Sequence, residues 1–302
     1  MIRPRLLFTG ANGFVGRQVL PALTNDFDLH FVSRSGRGAE AGNWHKVDLR
    51  NPQATAQLVY HIKPTHLIHL AWNTEHGTFW HAEDNLEWRD AGVALVRAFA
   101  ESGGQRLLIT GTGAEYDADA TSPISENIAV QNPATLYGKA KHDLFLAASE
   151  LAAAHNISFV WPRIFNAYGA GEPAGRLVPS IINSLLDGKT AKCSSGTQQR
   201  DFVDSRDLGH AIAALISSDI SGAINLGSGD QTTIGQIARM IGELMGRPEL
   251  IALGALPDRE GEPQVHIPDL TRMREELKYT PKINYKRGIQ EAIGWWREYP
   301  RG

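Results

Sequence analysis

The hydrophobic positions in the first half of the chain form short apolar runs that alternate with stretches of helical spacing. Short apolar runs between turn residues are typical of strands buried on both faces. In chain order the pattern predicts strand 5–8, helix 15–23, strand 29–33, helix 53–61, strand 66–71, helix 85–102, strand 106–110, helix 136–155 and strand 158–162. This alternation predicts an α/β fold, a Rossmann-type doubly wound parallel sheet covered by helices on both faces.

After residue 165 the pattern becomes less regular, starting with a loop rich in glycine and proline. Further helices are predicted at 177–186, 207–217, 233–244, 273–277 and 289–299, with a short strand at 223–226. We therefore expect a Rossmann domain over residues 1–165 and a smaller C-terminal lobe over residues 166–302. The chain is expected to cross back to the first domain around residues 203–230.

Composition narrows the classes of protein that the chain can belong to. The 302 residues are 42% hydrophobic and 21% charged, with a formal net charge of −3. This balance gives no global positive field for nucleic acid or for an anionic membrane. No apolar run approaches the roughly 20 residues of a membrane-spanning helix. The single cysteine, Cys193, excludes an internal disulfide and is typical of a reducing compartment, so we expect a cytoplasmic protein.

A glycine-rich turn separates the first predicted strand from the first predicted helix. It reads Thr9-Gly10-Ala11-Asn12-Gly13-Phe14-Val15-Gly16. Glycines in such a turn permit a tight bend, close approach of the backbone to a pyrophosphate, and close packing of helix on strand. The free N–H groups at the start of the helix favour negative charge. Because a strand precedes the turn and a helix follows it, the turn indicates a dinucleotide site rather than a plain loop.

The end of the second predicted strand bears on the choice of nicotinamide cofactor. Sites for NAD usually carry Asp or Glu here, which binds the ribose 2′-hydroxyl. This chain has Ser33 and Arg34, with Arg37 nearby. Arginine and serine suit a 2′-phosphate, which a carboxylate would repel. The pattern favours NADP(H), with NAD(H) possible. The alternative is that both arginines are solvated loop charges and that the site accepts either cofactor.

Tyr137 and Lys141 form a Tyr-x-x-x-Lys motif at the start of a long predicted helix. Residues four apart lie on one helix face, so the lysine ammonium is expected near the phenol. A nearby positive charge lowers the pKa of a phenol, which is otherwise about 10, and makes it a better acid-base group near neutral pH. Thr112 lies at a strand end where parallel sheets place ligands, and its hydroxyl is expected to bind the substrate oxygen.

Further motifs follow in order along the chain. They are His69-Leu70-Ala71, Thr112 with Tyr116, Arg163-Ile164-Phe165-Asn166-Ala167-Tyr168-Gly169 and Gln199-Arg200-Asp201-Phe202-Val203-Asp204-Ser205-Arg206-Asp207. With the glycine turn and the Tyr137–Lys141 pair, this series resembles the NAD-dependent epimerase/dehydratase family, the extended short-chain dehydrogenases, over nearly the whole chain. The resemblance implies a catalytic triad of Thr112, Tyr137 and Lys141.

The resemblance also implies which residues hold the cofactor. Ala71 would line the pyrophosphate and the nicotinamide ribose, and Asp48 would reach the adenine. The residues expected at the cofactor are Gly10, Asn12, Gly13, Phe14, Val15, Gly16, Ser33, Arg34, Asp48, Leu49, Leu70, Ala71, Tyr137, Lys141 and Pro162.

In this family the C-terminal lobe binds a nucleotide diphospho-sugar. The residues expected at the substrate are Trp72, Thr112, Asn166, Arg200 and Arg259. Arginine suits a diphosphate because its planar guanidinium binds phosphate oxygens in pairs. The alternative for Arg200 and Arg259 is a salt bridge with a neighbouring acid such as Asp201 or Glu260. Trp72 would stack on the sugar or base, or else pack under a loop.

Three reactions share this scaffold. The 4,6-dehydratases of the family carry the pattern Thr-Asp-Glu at the catalytic strand end. This chain has Thr112-Gly113-Ala114 there and lacks both acids. A 4-epimerase oxidises and re-reduces one carbon and usually retains NAD. A 4-ketoreductase makes one net hydride transfer from exchangeable NADPH. The Ser33–Arg34 pair favours the 4-ketoreductase, with the 4-epimerase as the alternative.

Other classes of function fit less well. A non-catalytic NADP-sensing regulator commonly lacks the Tyr or Lys that this chain keeps, and a reductase of small aldehydes or ketones has no need of Asn166 and Arg200. His69 and His76 have no further ligand spacing, so no metal is expected. By analogy with relatives, we expect a homodimer formed through the helices predicted at 85–102 and 136–155.

Overall fold

The computed structural model describes residues 3–23, 27–38, 42–127, 131–259 and 261–299. Its first half is a repeating series of strands and helices. In chain order these are β1 (Arg5–Thr9), α1 (Gly16–Val19), β2 (Asp28–Ser33), β3 (Asn43–Lys46), α2 (Pro52–Ile62), β4 (His66–His69), α3 (Asp84–Glu101), β5 (Arg106–Ile109), β6 (Gly111–Thr112), α4 (Leu136–Ala154) and β7 (Ser158–Ile164).

The second half is built from shorter strands and five helices within the described residues. They are β8 (Asn166–Tyr168), α5 (Leu177–Leu186), β9 (Ala191–Lys192), β10 (Gln199–Asp204), α6 (Ser205–Ile216), β11 (Gly222–Leu226), β12 (Gln231–Thr233), α7 (Ile234–Leu244), β13 (Ile251–Ala252), β14 (Val265–His266), α8 (Thr271–Glu275) and α9 (Tyr285–Glu298).

The main sheet is parallel, with the strand order β11-β7-β5-β4-β1-β2-β3, and β6 pairs with β7. Alternate residues of each strand enter different layers. Leu6 and Phe8 of β1 pack with α6, whereas Leu7 packs with α2, α3 and α4. Burial on both faces explains the continuous apolar runs in the sequence. The prediction of a doubly wound α/β fold is therefore confirmed.

The smaller lobe has its own apolar cluster. Strands β12, β10 and β14 form a small sheet, β8 pairs with β10, and β9 pairs with β13. Helices α5, α7 and α9 share a core that includes Ile182, Ile241 and Ile293. Between β10 and β12 the chain runs through α6, which packs on the main sheet, and β11, which extends that sheet.

Some elements differ from the sequence prediction for identifiable reasons. Strand β3 lies at the edge of the sheet and lacks an apolar run, and β10 is mostly buried although four of its six residues are polar or charged. Helix α1 ends at Val19 and continues as a 3₁₀ turn, because Pro21 has no N–H for the α-helical ladder. Within the described ranges, no helix is both long and apolar enough to cross a membrane.

Candidate active site

A cleft of about 810 Å³ lies between the carboxyl ends of the main-sheet strands and the smaller lobe. The sheet side of this cleft, here called the sheet wall, is formed by the glycine turn, the end of β4 and three side chains from β6 and α4. The predicted residues that line it are Gly10, Gly13, Phe14, Val15, Gly16, Leu70, Ala71, Trp72, Thr112, Tyr137 and Lys141. The opposite side, the lobe wall, contains Asn166, Glu172, Arg176, Arg200 and Arg259.

The three glycines of the turn meet different surroundings. Gly10 has a φ of 81°, and a Cβ there would lie 2.6 Å from the backbone N of Ala71. A Cβ on Gly16 would overlap the Gly10 carbonyl oxygen. A Cβ on Gly13 would meet only that oxygen, at 3.1 Å. Gly10 and Gly16 are therefore required by the fold, whereas Gly13 leaves bare backbone facing the cleft. Such a surface fits the close approach of a pyrophosphate.

The end of β2 lies beside the glycine turn. The Asn12 amide and the Ser33 hydroxyl both donate hydrogen bonds to the Arg37 carbonyl, at 2.9 and 3.1 Å. Arg34 is exposed and forms no ion pair within the described part of the chain. Its charge contributes to the lowered pKa of Asp48, although the main cause is the hydrogen bond from Arg50. An arginine is thus present where the sequence predicts recognition of the 2′-phosphate.

Six of the predicted cofactor residues are outside the lining of the cleft. They are Asn12, Ser33, Arg34, Asp48, Leu49 and Pro162. Leu49 is buried in the core beside α2, and its carbonyl accepts a hydrogen bond from Thr55. Pro162 lies within β7 and pairs with Ile224, so its assignment to the cofactor stays a prediction. The strand reaches the cleft only at its end, where Ile164 and Phe165 form the lining.

Tyr137 is buried in the sheet wall among aromatic side chains. The rings of Phe79, Trp80 and Trp72 stand edge-on to it, with centroids at 5.0, 5.8 and 6.2 Å. Burial raises the phenol pKa to about 12, although a hydrogen bond with the Thr112 hydroxyl has a smaller lowering effect. Thr112 and Tyr137 therefore present paired hydroxyls to the cleft, and the phenol is protonated at neutral pH.

Lys141 is also buried, as its helical spacing from Tyr137 predicts. Its Nζ donates a hydrogen bond to the Thr110 carbonyl at 3.0 Å and lies 3.9 Å from the Trp72 ring centroid. Burial lowers the lysine pKa to about 7. The predicted lowering of the Tyr137 pKa by Lys141 is wrong for this structure, because burial raises the phenol pKa, and Lys141, with a pKa of about 7, is neutral before the phenol ionises. The cation that acts on the phenol is Arg176.

A buried ion pair fixes the position of Thr112. The Glu115 carboxylate accepts hydrogen bonds from the Arg163 guanidinium at 2.9 Å and from the Trp161 indole at 2.9 Å. The same carboxylate accepts from the backbone N–H of Thr112, at 2.8 Å. A buried charge must be paired to be tolerated, so this network holds the turn after β6 in one geometry. These residues lie in or beside the motifs of the family, but no local pattern indicates that they meet.

The lobe wall supplies polar groups that belong partly to the fold. The Asn166 amide donates to the Asp201 carbonyl at 3.0 Å. Arg200 is buried and forms a salt bridge with Glu262 at 2.9 Å. The sequence alternative of a salt bridge to a nearby acid therefore holds for Arg200, with Glu262 as the acid, although the residue also lines the cleft. Arg259 is exposed at the cleft, and Glu260 lies outside the described residues.

Arg176 and Glu172 were not predicted from the sequence. Arg176 precedes α5 and forms no ion pair within the described ranges, yet its charge acts on Tyr137, Glu172 and His76. Glu172 is 5% exposed, its Oε2 has no hydrogen-bond partner among the described residues, and burial raises its pKa to about 8. The signal available in the sequence was the glycine-proline loop over 169–175, which returns the chain to the cleft.

The two histidines considered as metal ligands lie in different environments. His69 is buried, its Nδ1 is 2.6 Å from the Thr9 hydroxyl oxygen, and burial lowers its pKa to about 3. His76 lies at the rim of the cleft against Gly175. Across the described part of the chain, no three His, Cys, Asp or Glu side chains form a group that could hold a metal ion.

Comparison with known proteins identifies the family. The model of the NAD dependent epimerase/dehydratase family matches residues 6–227, from β1 through β11. The chain belongs to this family. Its members include NAD-dependent enzymes that modify nucleotide sugars, and this membership makes the chain an enzyme of the extended short-chain dehydrogenase type.

Individual relatives are similar to this chain along most of its length. UDP-glucuronic acid decarboxylase 1 of Xenopus tropicalis is 26% identical, with 98% of this chain and 73% of the relative covered. UDP-glucose 4-epimerase of Corynebacterium glutamicum is 28% identical, with coverages of 70% and 68%. The crystal structure of the UDP-glucose 4-epimerase of Thermus thermophilus in complex with NAD has the same fold, with a TM-score of 0.84, 19% identity and coverages of 97% and 99%.

Proposed function

We propose that this protein is a 4-ketoreductase that transfers a hydride from NADPH to the C4 carbonyl of a nucleotide diphospho-sugar. The observation that carries the proposal is the hydrogen-bonded pair of Thr112 and Tyr137 hydroxyls in a cleft that the glycine turn also lines. Membership of the epimerase/dehydratase family supports a nicotinamide dinucleotide and a nucleotide sugar as the two occupants.

The proposed chemistry assigns one role to each wall of the cleft. NADPH supplies the hydride that reduces the carbonyl carbon. Tyr137 gives its phenolic proton to the carbonyl oxygen, and Thr112 holds the same oxygen by a hydrogen bond. The phenolate left behind is stabilised by the charge of Arg176, and it regains a proton from solvent. On the lobe wall, Arg200, Arg259 and Asn166 would bind the diphosphate.

Dehydration is disfavoured at this site. Elimination needs an acid and a base beside the sugar, and positions 113 and 114 are glycine and alanine. The neighbouring acid, Glu115, is fully buried and paired with Arg163, so it is unavailable for proton transfer. Proton transfer in the proposed reaction therefore depends on Tyr137.

Cofactor choice separates this proposal from a second candidate, the 4-epimerase. The reductase is favoured by Ser33 and by Arg34, which is exposed and has no ion pair in the described structure. The epimerase is favoured by the similarity to UDP-glucose 4-epimerases, one of which has been solved with NAD.

The experiment that separates the two candidates is to release any co-purified dinucleotide and to titrate the dinucleotide-free protein with NADPH and NADH. Exchangeable binding with a strong NADPH preference supports the reductase, whereas tightly retained NAD overturns it in favour of the epimerase.

The Arg34 assignment has a direct variant test. Arg34→Asp places a carboxylate where the 2′-phosphate would lie, so it should shift the ratio of NADPH to NADH affinity at least tenfold toward NADH. Arg37→Asp is the matched control, because Arg37 takes part here through its backbone carbonyl. Equal cofactor ratios in Arg34→Asp and in the unmodified protein would remove the arginine from the argument.

We also propose a homodimer formed through α3 and α4. These helices pack against each other, and each carries a large exposed apolar side chain, Leu86 at 38% and Leu146 at 48%. An apolar patch that includes both side chains would suit a contact between subunits. Light scattering on Leu146→Glu should show a monomer where the unmodified protein is a dimer, and a monomer in both would reject the proposal. The cytoplasmic location expected from the lone cysteine stays a prediction.

A further inference from the structure

A side pocket of about 290 Å³ opens next to the catalytic hydroxyls. It shares Thr112, Phe165, Asn166 and Arg200 with the main cleft. Its far side is formed by His266, which lies at the end of β14 in the smaller lobe. The volume is near the lower end of ordinary ligand pockets. The pocket is therefore suited to one small part of a larger substrate.

The orientation of His266 is fixed by the neighbouring strand end. Its Nε2 lies 3.1 Å from the Gly113 carbonyl oxygen, and its ring packs on Phe165 with centroids 4.8 Å apart. A carbonyl can only accept a hydrogen bond, so Nε2 carries the hydrogen. Burial, with a further effect of Arg200, lowers the His266 pKa to about 4. The imidazole is neutral near pH 7, and Nδ1 therefore holds a lone pair.

The Nδ1 atom of His266 has no hydrogen-bond partner within the described part of the chain. The same pocket is lined by the donors Arg200 and Arg259 and by Glu262, whose carboxylate is an acceptor but is paired with Arg200. Nδ1 of His266 can accept a hydrogen bond from a ligand hydroxyl but cannot bind a ligand carbonyl. Sugar hydroxyls are the donors that a nucleotide sugar brings to this position.

Gly113 is shaped by the same contact. A Cβ at Gly113 would lie 2.7 Å from Cε1 of the His266 ring. The backbone there is not in the left-handed region, so the glycine is required by space and not by conformation. The His266 imidazole thus occupies the space that a side chain at position 113 would need.

We propose that His266 is a specificity-determining residue that accepts, through Nδ1, a hydrogen bond from a hydroxyl of the substrate sugar, and that Gly113 is glycine to make room for it. The inference rests on the proposed function, because it requires the sugar to lie beside Thr112. It goes beyond that function by naming the residue that selects the sugar. Other substrate contacts of the lobe wall would act on the diphosphate.

The test compares ligands with and without the sugar. UDP-glucose and dTDP-glucose are titrated by calorimetry against the unmodified protein and His266→Gln, with UDP and dTDP as the matched ligands. Glutamine keeps an N–H for the Gly113 carbonyl but has no acceptor at the Nδ1 position. His266→Gln should lose about fivefold in affinity for the better sugar nucleotide, since one hydrogen bond is worth about 1 kcal/mol. Its affinity for the free nucleoside diphosphate should change less than twofold.

Two further variants guard against a purely structural effect. His266→Asn places an amide oxygen near the Nδ1 position and should lose less affinity than His266→Gln. Gly113→Ala should push the ring aside and lose the sugar contribution, but should add no further loss in a His266→Ala background. Thermal melting of each variant checks that it is folded.

The outcomes separate the inference from the proposed function. Failure of the unmodified protein to bind either sugar nucleotide or nucleoside diphosphate overturns the proposed function, and the inference falls with it. If the unmodified protein binds a sugar nucleotide and His266→Gln binds it equally well, only the inference fails. An equal loss for the sugar nucleotide and its nucleoside diphosphate also overturns it, because His266 would then support the fold or the diphosphate site.

Discussion

The two walls of the cleft face the same space but present different polar groups to it. On the sheet wall, Tyr137 and Lys141 are buried, and burial outweighs the effect of nearby charges, so the pKa of Tyr137 rises to about 12 and that of Lys141 falls to about 7. On the lobe wall, Arg176 and Arg259 lie in the cleft as charged groups without ion pairs in the described part of the chain. One wall is suited to moving protons and the other to holding an anion.

The difference follows from how each wall is built. Tyr137 and Lys141 lie on a long helix and Thr112 at a strand end, so regular elements hold them against the main core. Arg176 and Arg259 lie in loops, with Arg176 directly before α5. Rigid elements can keep uncharged donors and acceptors in fixed positions, whereas flexible arginine side chains can adjust to a phosphate.

The strongest test of this division is Tyr137→Phe. Removal of the phenolic hydroxyl should lower turnover by about a thousandfold, because general acid catalysis typically contributes a factor of 10² to 10⁴. Cofactor affinity should change little, since the ring remains among its aromatic neighbours. Steady-state kinetics and dinucleotide titration measure the two effects. Turnover within tenfold of the unmodified protein would show that the proton comes from another group.

The glycine turn offers a second large effect on the sheet wall. Gly16→Ala should destabilise the protein and abolish dinucleotide binding together, because its Cβ overlaps the Gly10 carbonyl. Gly13→Ala should leave the melting temperature nearly unchanged but weaken dinucleotide binding by more than tenfold, because the new methyl group faces the cleft. Thermal melting and fluorescence titration separate the two. Normal cofactor affinity in Gly13→Ala would place the pyrophosphate elsewhere.

The sheet wall was largely predictable and the lobe wall was not. Helical spacing places Tyr137 and Lys141 on one face of α4 whatever the tertiary structure, and both enter the cleft. The contacts of Lys141 were not predictable, because Thr110 and Trp72 lie in segments that follow β5 and β4. For the same reason the sequence predicted the wrong direction for the Tyr137 pKa, as burial is set by packing.

On the lobe wall, partners far apart in the chain decide each role. Arg200 is matched to Glu262 across 62 positions, and Arg176 reaches the cleft only because the preceding loop folds back. The short strands there have no periodic signal, and β10 is buried despite its charged residues. Local sequence patterns do not show which distant residues meet. The arginine motifs therefore predicted anion binding but not which arginine lacks an ion pair in the described structure.

A smaller effect distinguishes the arginines within the lobe wall. Arg176→Ala should weaken binding of UDP or dTDP by about tenfold with little change in melting temperature, since the side chain has no ion pair to lose in the described structure. Arg200→Ala should also lower stability, because it leaves the Glu262 carboxylate without its partner. Calorimetric titration at two salt concentrations, together with thermal melting, measures both. Equal melting losses in the two variants would contradict the distinction.

The smallest expected effect compares one buried ionisable group from each wall. Glu172 on the lobe wall has a folded-state pKa of about 8, above its ordinary value of 4.5. Between these values the unfolded chain releases the proton first, so stability should fall as pH rises from 4.5 to 8. Lys141 on the sheet wall has a folded-state pKa of about 7, below its ordinary 10.5. The unfolded chain binds more protons between pH 7 and 10.5, so stability should rise over that window.

These opposite pH dependences of stability can be separated with neutral variants of similar shape, studied in protein from which any dinucleotide has been removed. Glu172→Gln should remove the fall in the free energy of unfolding with pH, and Lys141→Met should remove the rise. Each slope is at most about 1.4 kcal/mol per pH unit, which corresponds to a few degrees of melting temperature. Melting curves from pH 5 to 10 for both variants and the unmodified protein measure the differences. Because the two windows overlap only between pH 7 and 8, data at pH 5–7 report Glu172 and data at pH 8–10 report Lys141. If either variant leaves its own window unchanged, that wall does not hold its buried group in the neutral form.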